Sequence, residues 1–181
     1  MTMQSQGAAA RWSAPDGRWT EPDLHLFPQD GHRYEIVDGG LHVTPPVDRR
    51  HEAVVASLVE TLRAAAPEGW WVCDRSGIDT GSSNLVPDIT VLRPRSAGKI
   101  WASPSDVALV VEVESEETRH YDRLLKPAIY AAAGIPRFWR VEDGPILRTF
   151  TLSGDAYQAA EDVTGAEAVR LDAPYPIRVK L

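Results

Sequence analysis

The sequence predicts a single domain of mixed α and β structure, and three observations carry that expectation. The run Ala108 to Val111, inside ALVVEVES, has the length and β-branched content of a strand buried on both faces. Two stretches, Asp48 to about Ala66 and about Thr118 to Ala133, carry apolar residues at the three-and-four spacing of amphipathic helices. Around them, short β-branched and aromatic runs are punctuated by turn residues, and neither an internal repeat nor a second domain is visible.

In chain order, Met1 to about Gly17 mixes Gly, Ala, Ser and Gln without periodicity and reads as a flexible N-terminal tail, leaving 18–181 as the domain. Thr20, Pro22 and Asp23 mark a short helix, with Thr20 as cap and the acid at the positive end of the helix dipole. RYEIVDGGLHVT reads as a hairpin, Tyr34 to Val37 and Leu41 to Thr44 about Asp38-Gly39-Gly40, ended by Pro45 and Pro46. The next helix has Asp48 as cap and Val54, Val55, Leu58, Leu62 and Ala65 on one face together with His51. Trp70 to Asp74 is expected as a strand, and Leu85 to Leu92 as another. In the latter, Pro87 favours an edge or a strand start. Arg93 to Asp106 reads as a polar loop with an exposed Trp101. The helix after the central strand places Asp122, Lys126 and Tyr130 on one face, with Leu124, Leu125, Ala128 and Ile129 as apolar contacts, and stops at Gly134. Phe138 to Glu142 is a strand, Ile146 to Leu152 and Ala156 to Glu161 a hairpin, and Tyr175 to Leu181 is expected to close the sheet edge.

The bulk properties narrow the classes. With 43% apolar and 25% charged residues the chain is ordinary for a globular protein, and no apolar run approaches the ~20 residues of a membrane helix. The N-terminus lacks the pattern of a secretory signal, and a lone cysteine, Cys73, forms no internal disulfide, so the cytoplasm is the expected compartment. The histidines and Cys73 show no zinc-ligand spacing. A formal charge of −7 argues against a general nucleic-acid binder, although a carboxylate-rich metal site contributes negative charge that a bound cation neutralises.

Glu112 is the residue that demands an explanation. It follows directly on the apolar run, and an ionised carboxylate there is costly unless paired. Asp88 stands at the polar end of another β-rich run. If the two strands are neighbours, these acids and the Val113 carbonyl supply the oxygen ligands Mg²⁺ prefers, with Glu35 from the first hairpin as a further acid. A lysine near such an ion orients or helps deprotonate water, and Lys126 is available. Structural alternatives stand beside each assignment. Asp122 and Lys126 have the spacing of an exposed helical ion pair, worth ~0.3–0.5 kcal/mol. Glu35 can pair with Arg33 or Arg49, Asp88 can merely end strand pairing, His51 can be a core histidine, and Tyr130 and Trp139 can be core aromatics.

RYEIVDGGL, the helix opening at His51, VPDITVL, LVVEVES, the Asp122 and Lys126 pair, Tyr130, AAGIP and FW together resemble the Uma-two family of restriction endonuclease-like proteins, within the PD-(D/E)XK nuclease superfamily. The resemblance covers roughly Trp19 to Tyr157. It implies a mixed sheet flanked by helices and a Mg²⁺- or Mn²⁺-dependent endonuclease acting on DNA, with a homodimer expected by analogy. It assigns Asp88 and Glu112 as metal ligands, Glu35 as an auxiliary acid and Lys126 as the catalytic lysine, with His51 and Asp122 in support. One departure stands out. The superfamily places a lysine two residues after the glutamate, where this chain has Glu114, and related families place the lysine on the following helix instead. Glu114 is then either a further metal ligand or an excess negative charge that weakens the site. The alternative function is a catalytically inactive relative that serves as a nucleic-acid or protein interaction module.

Overall fold

The computed structural model describes residues 12–14, 16–94, 100–144, 146–165 and 167–181. Most of the expected N-terminal tail and part of the loop after Arg93 therefore lie outside the described residues. Trp12, within them, packs edge-on against Phe27 with ring centroids 5.0 Å apart.

The chain opens with α1 (Glu21–Leu24), whose Thr20 backbone and hydroxyl both donate to Asp23, a reciprocal cap of the kind the sequence signals. The hairpin β1 (Arg33–Val37) and β2 (Gly40–Thr44) follows, then α2 (Arg49–Ala65), where the Asp48 carboxylate accepts from the His51 backbone N–H at 2.8 Å. Short strands β3 (Trp71–Asp74), β4 (Gly77–Asp79), β5 (Asn84–Leu85), β6 (Ile89–Leu92) and β7 (Trp101–Ala102) lead to β8 (Val107–Val113). A π-helical turn (Tyr121–Leu125) runs into α3 (Lys126–Ala132), and β9 (Arg137–Glu142), β10 (Ile146–Ser153), β11 (Ala156–Thr164), β12 (Val169–Leu171) and β13 (Ile177–Val179) complete the chain.

The main sheet has the order β11-β10-β9-β8-β6-β3 and is antiparallel except between β8 and β9, which α3 connects. A second sheet has the order β2-β1-β5-β4-β7. Strand alternation sorts the core. Leu109, Val111 and Val113 of β8 pack with Val55, Leu58 and Leu62 of α2, whereas Val110 packs with Tyr130 of α3, Phe138, and Ile78 and Leu85 of the second sheet. Glu112 shares the parity of Val110, so its side chain belongs to the α3 side.

Four expectations are corrected. Leu85 to Leu92 is not one strand: β5 pairs with β1 and β4, β6 pairs with β3 and β8, and the chain changes sheets at Val86 to Asp88. Pro87 has no N–H to give to a ladder, and side chains of β1 take over the backbone of Val86. Arg33 Nη1 donates to its carbonyl at 3.0 Å, and its N–H donates to Glu35 Oε1 at 2.6 Å. Leu124 and Leu125 are not core contacts; they are 61% and 42% exposed. The extra residue of the π turn, closed by Lys126 N–H to Tyr121 C=O, shifts the helical phase and turns both leucines outward. Tyr175 to Leu181 does not close the main sheet: β13 pairs with β12 as a separate ribbon, with Ile177 and Val179 packed in the α2 core. Trp101, expected exposed in a loop, is half-buried in β7, and its indole N–H donates to Glu21 at 2.8 Å.

Candidate active site

Asp88 and Glu112 come together because β6 and β8 are antiparallel neighbours. The register Ile89 opposite Val111, continued by one residue, sets Asp88 across from Glu112. The sheet switch at Val86 to Asp88 lays this end of β6 against β1, which brings Arg33 and Glu35 to the same place. Arg33 and Glu35 are two apart on one strand and so project from one face.

Lys126 sits in the middle of the acids. Its ammonium donates to Glu112 Oε1 at 2.9 Å and lies 3.5 Å from Glu35 Oε1 and 3.6 Å from Asp122 Oδ1, and the residue is only 1% exposed. The Tyr130 hydroxyl, one turn further along α3, donates to Glu112 Oε1 at 2.6 Å. Three acidic oxygens in this cluster, Glu35 Oε2, Glu112 Oε2 and Asp122 Oδ1, are buried without a hydrogen bond, as is the hydroxyl of Tyr121, whose ring lies 5.1 Å from the ammonium. His42, opposite Glu35 in the hairpin register, stacks on Tyr121 with centroids 3.9 Å apart.

Asp88 is held differently. Arg33 Nη2 donates to Oδ1 at 2.5 Å, while Oδ2 accepts from the Val113 backbone N–H at 2.8 Å and lies 3.2 Å from His51 Nε2. The same imidazole nitrogen lies 2.9 Å from the Val113 carbonyl. Both neighbours are acceptors, so Nε2 carries hydrogen and shares it between them. The other ring nitrogen, Nδ1, is buried without a partner.

The protonation of the cluster follows from burial set against charge. Burial pushes the Glu112 carboxyl up to about 8, with Asp122 and Asp88 pushing the same way and Lys126 opposing. Burial likewise raises Asp122. Burial would lower Lys126, yet the charges of Glu112, Glu35 and Asp122 outweigh it and hold the amine protonated well above its usual range. Burial would raise Asp88, but the His51 hydrogen bond and the Arg33 charge hold its carboxyl below the ordinary carboxylate range. Burial would lower His51, and its bond to Asp88 overrides that and raises it.

Glu35, Asp88, Glu112, Asp122, Lys126, His51 and Val113 thus converge. Glu114 is engaged apart from this cluster: Arg123 grips its carboxylate from Nε and Nη2 at 2.6 and 2.8 Å, and Arg140 Nε approaches at 3.0 Å. The sequence offers Arg33 only as a surface partner for Glu35, whereas it grips Asp88, and Tyr130 only as a core aromatic, whereas its hydroxyl reaches Glu112 from one turn beyond Lys126. Tyr121 and His42 had no sequence signal, because the π turn and the hairpin register bring them together.

Oxygen-rich donors with orphaned, buried carboxylate oxygens suit a hard divalent cation. Among the described residues, no three His, Cys, Asp or Glu side chains stand grouped as a metal site, so any such site draws on backbone oxygen or water as well. Among the described residues no helix is long and apolar enough to cross a membrane.

Comparison with curated proteins finds no match. Among solved structures, the chain is similar to a crystal structure titled as "a putative nuclease belonging to DUF820" from Anabaena variabilis, at 15% identity and a TM-score of 0.63, covering 84% of this chain and 88% of that one. At that identity the likeness shows a shared fold, the restriction-endonuclease-like arrangement of a mixed sheet and helices. Residues 21–180 match the Uma2 family, described as "Putative restriction endonuclease", and the chain belongs to that family.

Proposed function

We propose that the protein is a divalent-metal-dependent endonuclease that hydrolyses DNA phosphodiester bonds. The observation that carries this reading is the convergence of Lys126 with Glu35, Glu112 and Asp122 beside Asp88, with buried carboxylate oxygens left over for a cation. Asp88, Glu112 and the Val113 carbonyl are the residues that would hold Mg²⁺ or Mn²⁺. When bound, the ion supplies Lewis-acid stabilisation of charge on the phosphate and lowers the pKa of water. The chain's own residues do the rest. Lys126 stays protonated, orients the attacking water and offsets negative charge at the phosphate; Glu35 and Asp122 fix its ammonium; Tyr130 holds the Glu112 carboxyl in place. Two-fold pairing of chains would give cuts on both strands of a duplex.

A second reading has an observation of its own in favour. Lys126 and Glu112 are almost inaccessible, and Arg33 and His51 already compensate Asp88, which suits a fold retained as an interaction module. The deciding experiment incubates the full chain with supercoiled, linear and single-stranded DNA and Mn²⁺. Nicking or cutting that disappears in Asp88→Asn and Lys126→Met supports the nuclease. No cutting under any metal supports the module, and cutting that both variants retain overturns the assignment of the reaction to Asp88 and Lys126.

A further inference from the structure

We infer that His51 is a direct ligand of the cation, through Nε2, alongside Asp88 Oδ2 and the Val113 carbonyl. The inference rests on the nuclease reading above and adds to it a nitrogen donor and a metal preference. Nε2 lies 2.9 Å from the Val113 carbonyl oxygen and 3.2 Å from Asp88 Oδ2. Neighbouring donors around a six-coordinate ion with bonds of ~2.1 Å are ~3.0 Å apart, so these donors already have the spacing of a coordination edge with a proton standing in for the ion.

The chemistry of the surrounding nitrogens singles out His51. The Arg33 guanidinium is spent on Asp88, and the Lys126 nitrogen is enclosed by Glu112, Glu35 and Asp122 at 2.9, 3.5 and 3.6 Å, so neither is placed to offer a lone pair to an ion at Asp88. The imidazole is. It would have to move its one proton from Nε2 to Nδ1, which is buried without a hydrogen-bond partner, so the lone pair freed on Nε2 must be taken up by the ion. The ring also lines a cavity of about 310 Å³ bounded by Pro46, Val47, Val54, Ser115 and Asp143, among others, which gives room for water beside it. The N-terminal turn of α2 fixes the ring's position, because the Asp48 carboxylate caps the His51 backbone N–H. Displacing the Nε2 proton by the ion releases one proton to solvent from imidazolium, or moves it to Nδ1 from the neutral ring.

A site with one imidazole among oxygens favours Mn²⁺ over Mg²⁺, since nitrogen donors suit transition metals and Mg²⁺ prefers oxygen and water. A histidine that only clamps Asp88 to β8 would leave both ions bound through oxygen alone.

The test uses the full chain labelled with ¹⁵N-histidine and Mn²⁺ alone as the probe, read by pulsed electron paramagnetic resonance and by calorimetry. The expected result is a hyperfine coupling of bound Mn²⁺ to an imidazole nitrogen in the wild type. In His51→Gln, with folding checked by thermal melting, that coupling disappears and the preference for Mn²⁺ over Mg²⁺ drops by ~10-fold or more. Should His51→Gln fail to fold, a coupling that survives replacement of His25, His32, His42 and His120 by Gln assigns it to His51, and a coupling lost in that variant overturns the assignment. Mn²⁺ binding that depends on Asp88 but shows no imidazole coupling overturns the ligand assignment and leaves the nuclease reading intact. A wild type that binds neither Mn²⁺ nor Mg²⁺ overturns both.

Discussion

Replacing Glu112 by Gln keeps the shape of the side chain and removes its ionisation, and the consequence for stability has a definite sign. The carboxyl titrates at about 8 in the folded chain, raised by burial, against an ordinary value of 4.5. Folding then takes up a proton, so this group's contribution is fully present below the unfolded value and is lost as pH rises through the folded one. Between the two values a single group makes stability fall as pH rises, so going from about pH 5.5 to about pH 7.5 removes on the order of 2–3 kcal/mol from the wild type. Asp122 and His51 are also raised, and their contributions run the same way. Both remain in the variant, so the difference between the two proteins isolates Glu112. Asp88 is lowered and acts below its ordinary value of 3.8, outside this window. Urea unfolding at several pH values, without divalent metal, is the assay. Glu112→Gln should show a slope shallower by on the order of 1 kcal/mol per pH unit and gain relative stability as pH rises. Equal slopes would mean that Glu112 is ionised throughout, its charge carried by Lys126, and the argument from burial would fail.

Lys126→Met removes the cation from three acids and leaves them buried without it, so the variant should lose ~3–5 kcal/mol in urea unfolding near neutral pH, far above the cost of breaking an exposed helical pair. Leu124→Gln should change stability by less than ~0.5 kcal/mol, because the π turn exposes this leucine; a loss of several kcal/mol would show it buried, as a regular helix predicts. Gly77→Ala sets a Cβ into the ring of Trp101 and should cost ~1–3 kcal/mol with a matching drop in melting temperature, and Trp101→Ala in the same chain should remove that penalty.

The parts of the fold legible in the sequence are those whose period and caps agree. The first hairpin, α2 with its Asp48 cap, and β8 lie where alternation, three-and-four spacing and an unbroken apolar run place them. The sheet switch at Val86 was illegible because Val86 and Asp88 look like strand residues. The backbone partners of Val86 are the side chains of Arg33 and Glu35, more than fifty positions away in sequence. The π turn was illegible for a similar reason. One extra residue per turn leaves no mark on composition, and only the exposure of Leu124 and Leu125 reveals it. The site was legible as residue types and, through Glu112, as a buried charge needing compensation. That the compensation is shared among Lys126, Tyr130, Arg33 and His51 depends on long-range register, which a single sequence does not state.

The same register bears on Glu114. Glu112 and Glu114 project from one face of β8 and its continuation, and the segment from the π turn into α3 runs over that face with Arg123 and Lys126 three residues apart. Two strand residues advance ~6.6 Å and three helical residues ~4.5 Å, close enough for long side chains to pair each acid with its own cation. Lys126 takes Glu112, and Arg123 with Arg140 takes Glu114. The glutamate at the position where the superfamily pattern has lysine is therefore neutralised locally, and the ammonium that pattern would supply from the strand reaches Glu112 from the helix at 2.9 Å. An acid held by arginines adds little net charge to its neighbour. Glu114→Leu should accordingly leave cation affinity at Asp88 within ~3-fold of wild type, while Arg123 and Arg140 lose their partner and the melting temperature falls. A much larger gain in affinity would mean that its negative charge weakens the proposed cation site, and a loss of binding altogether would make it one of the ligands.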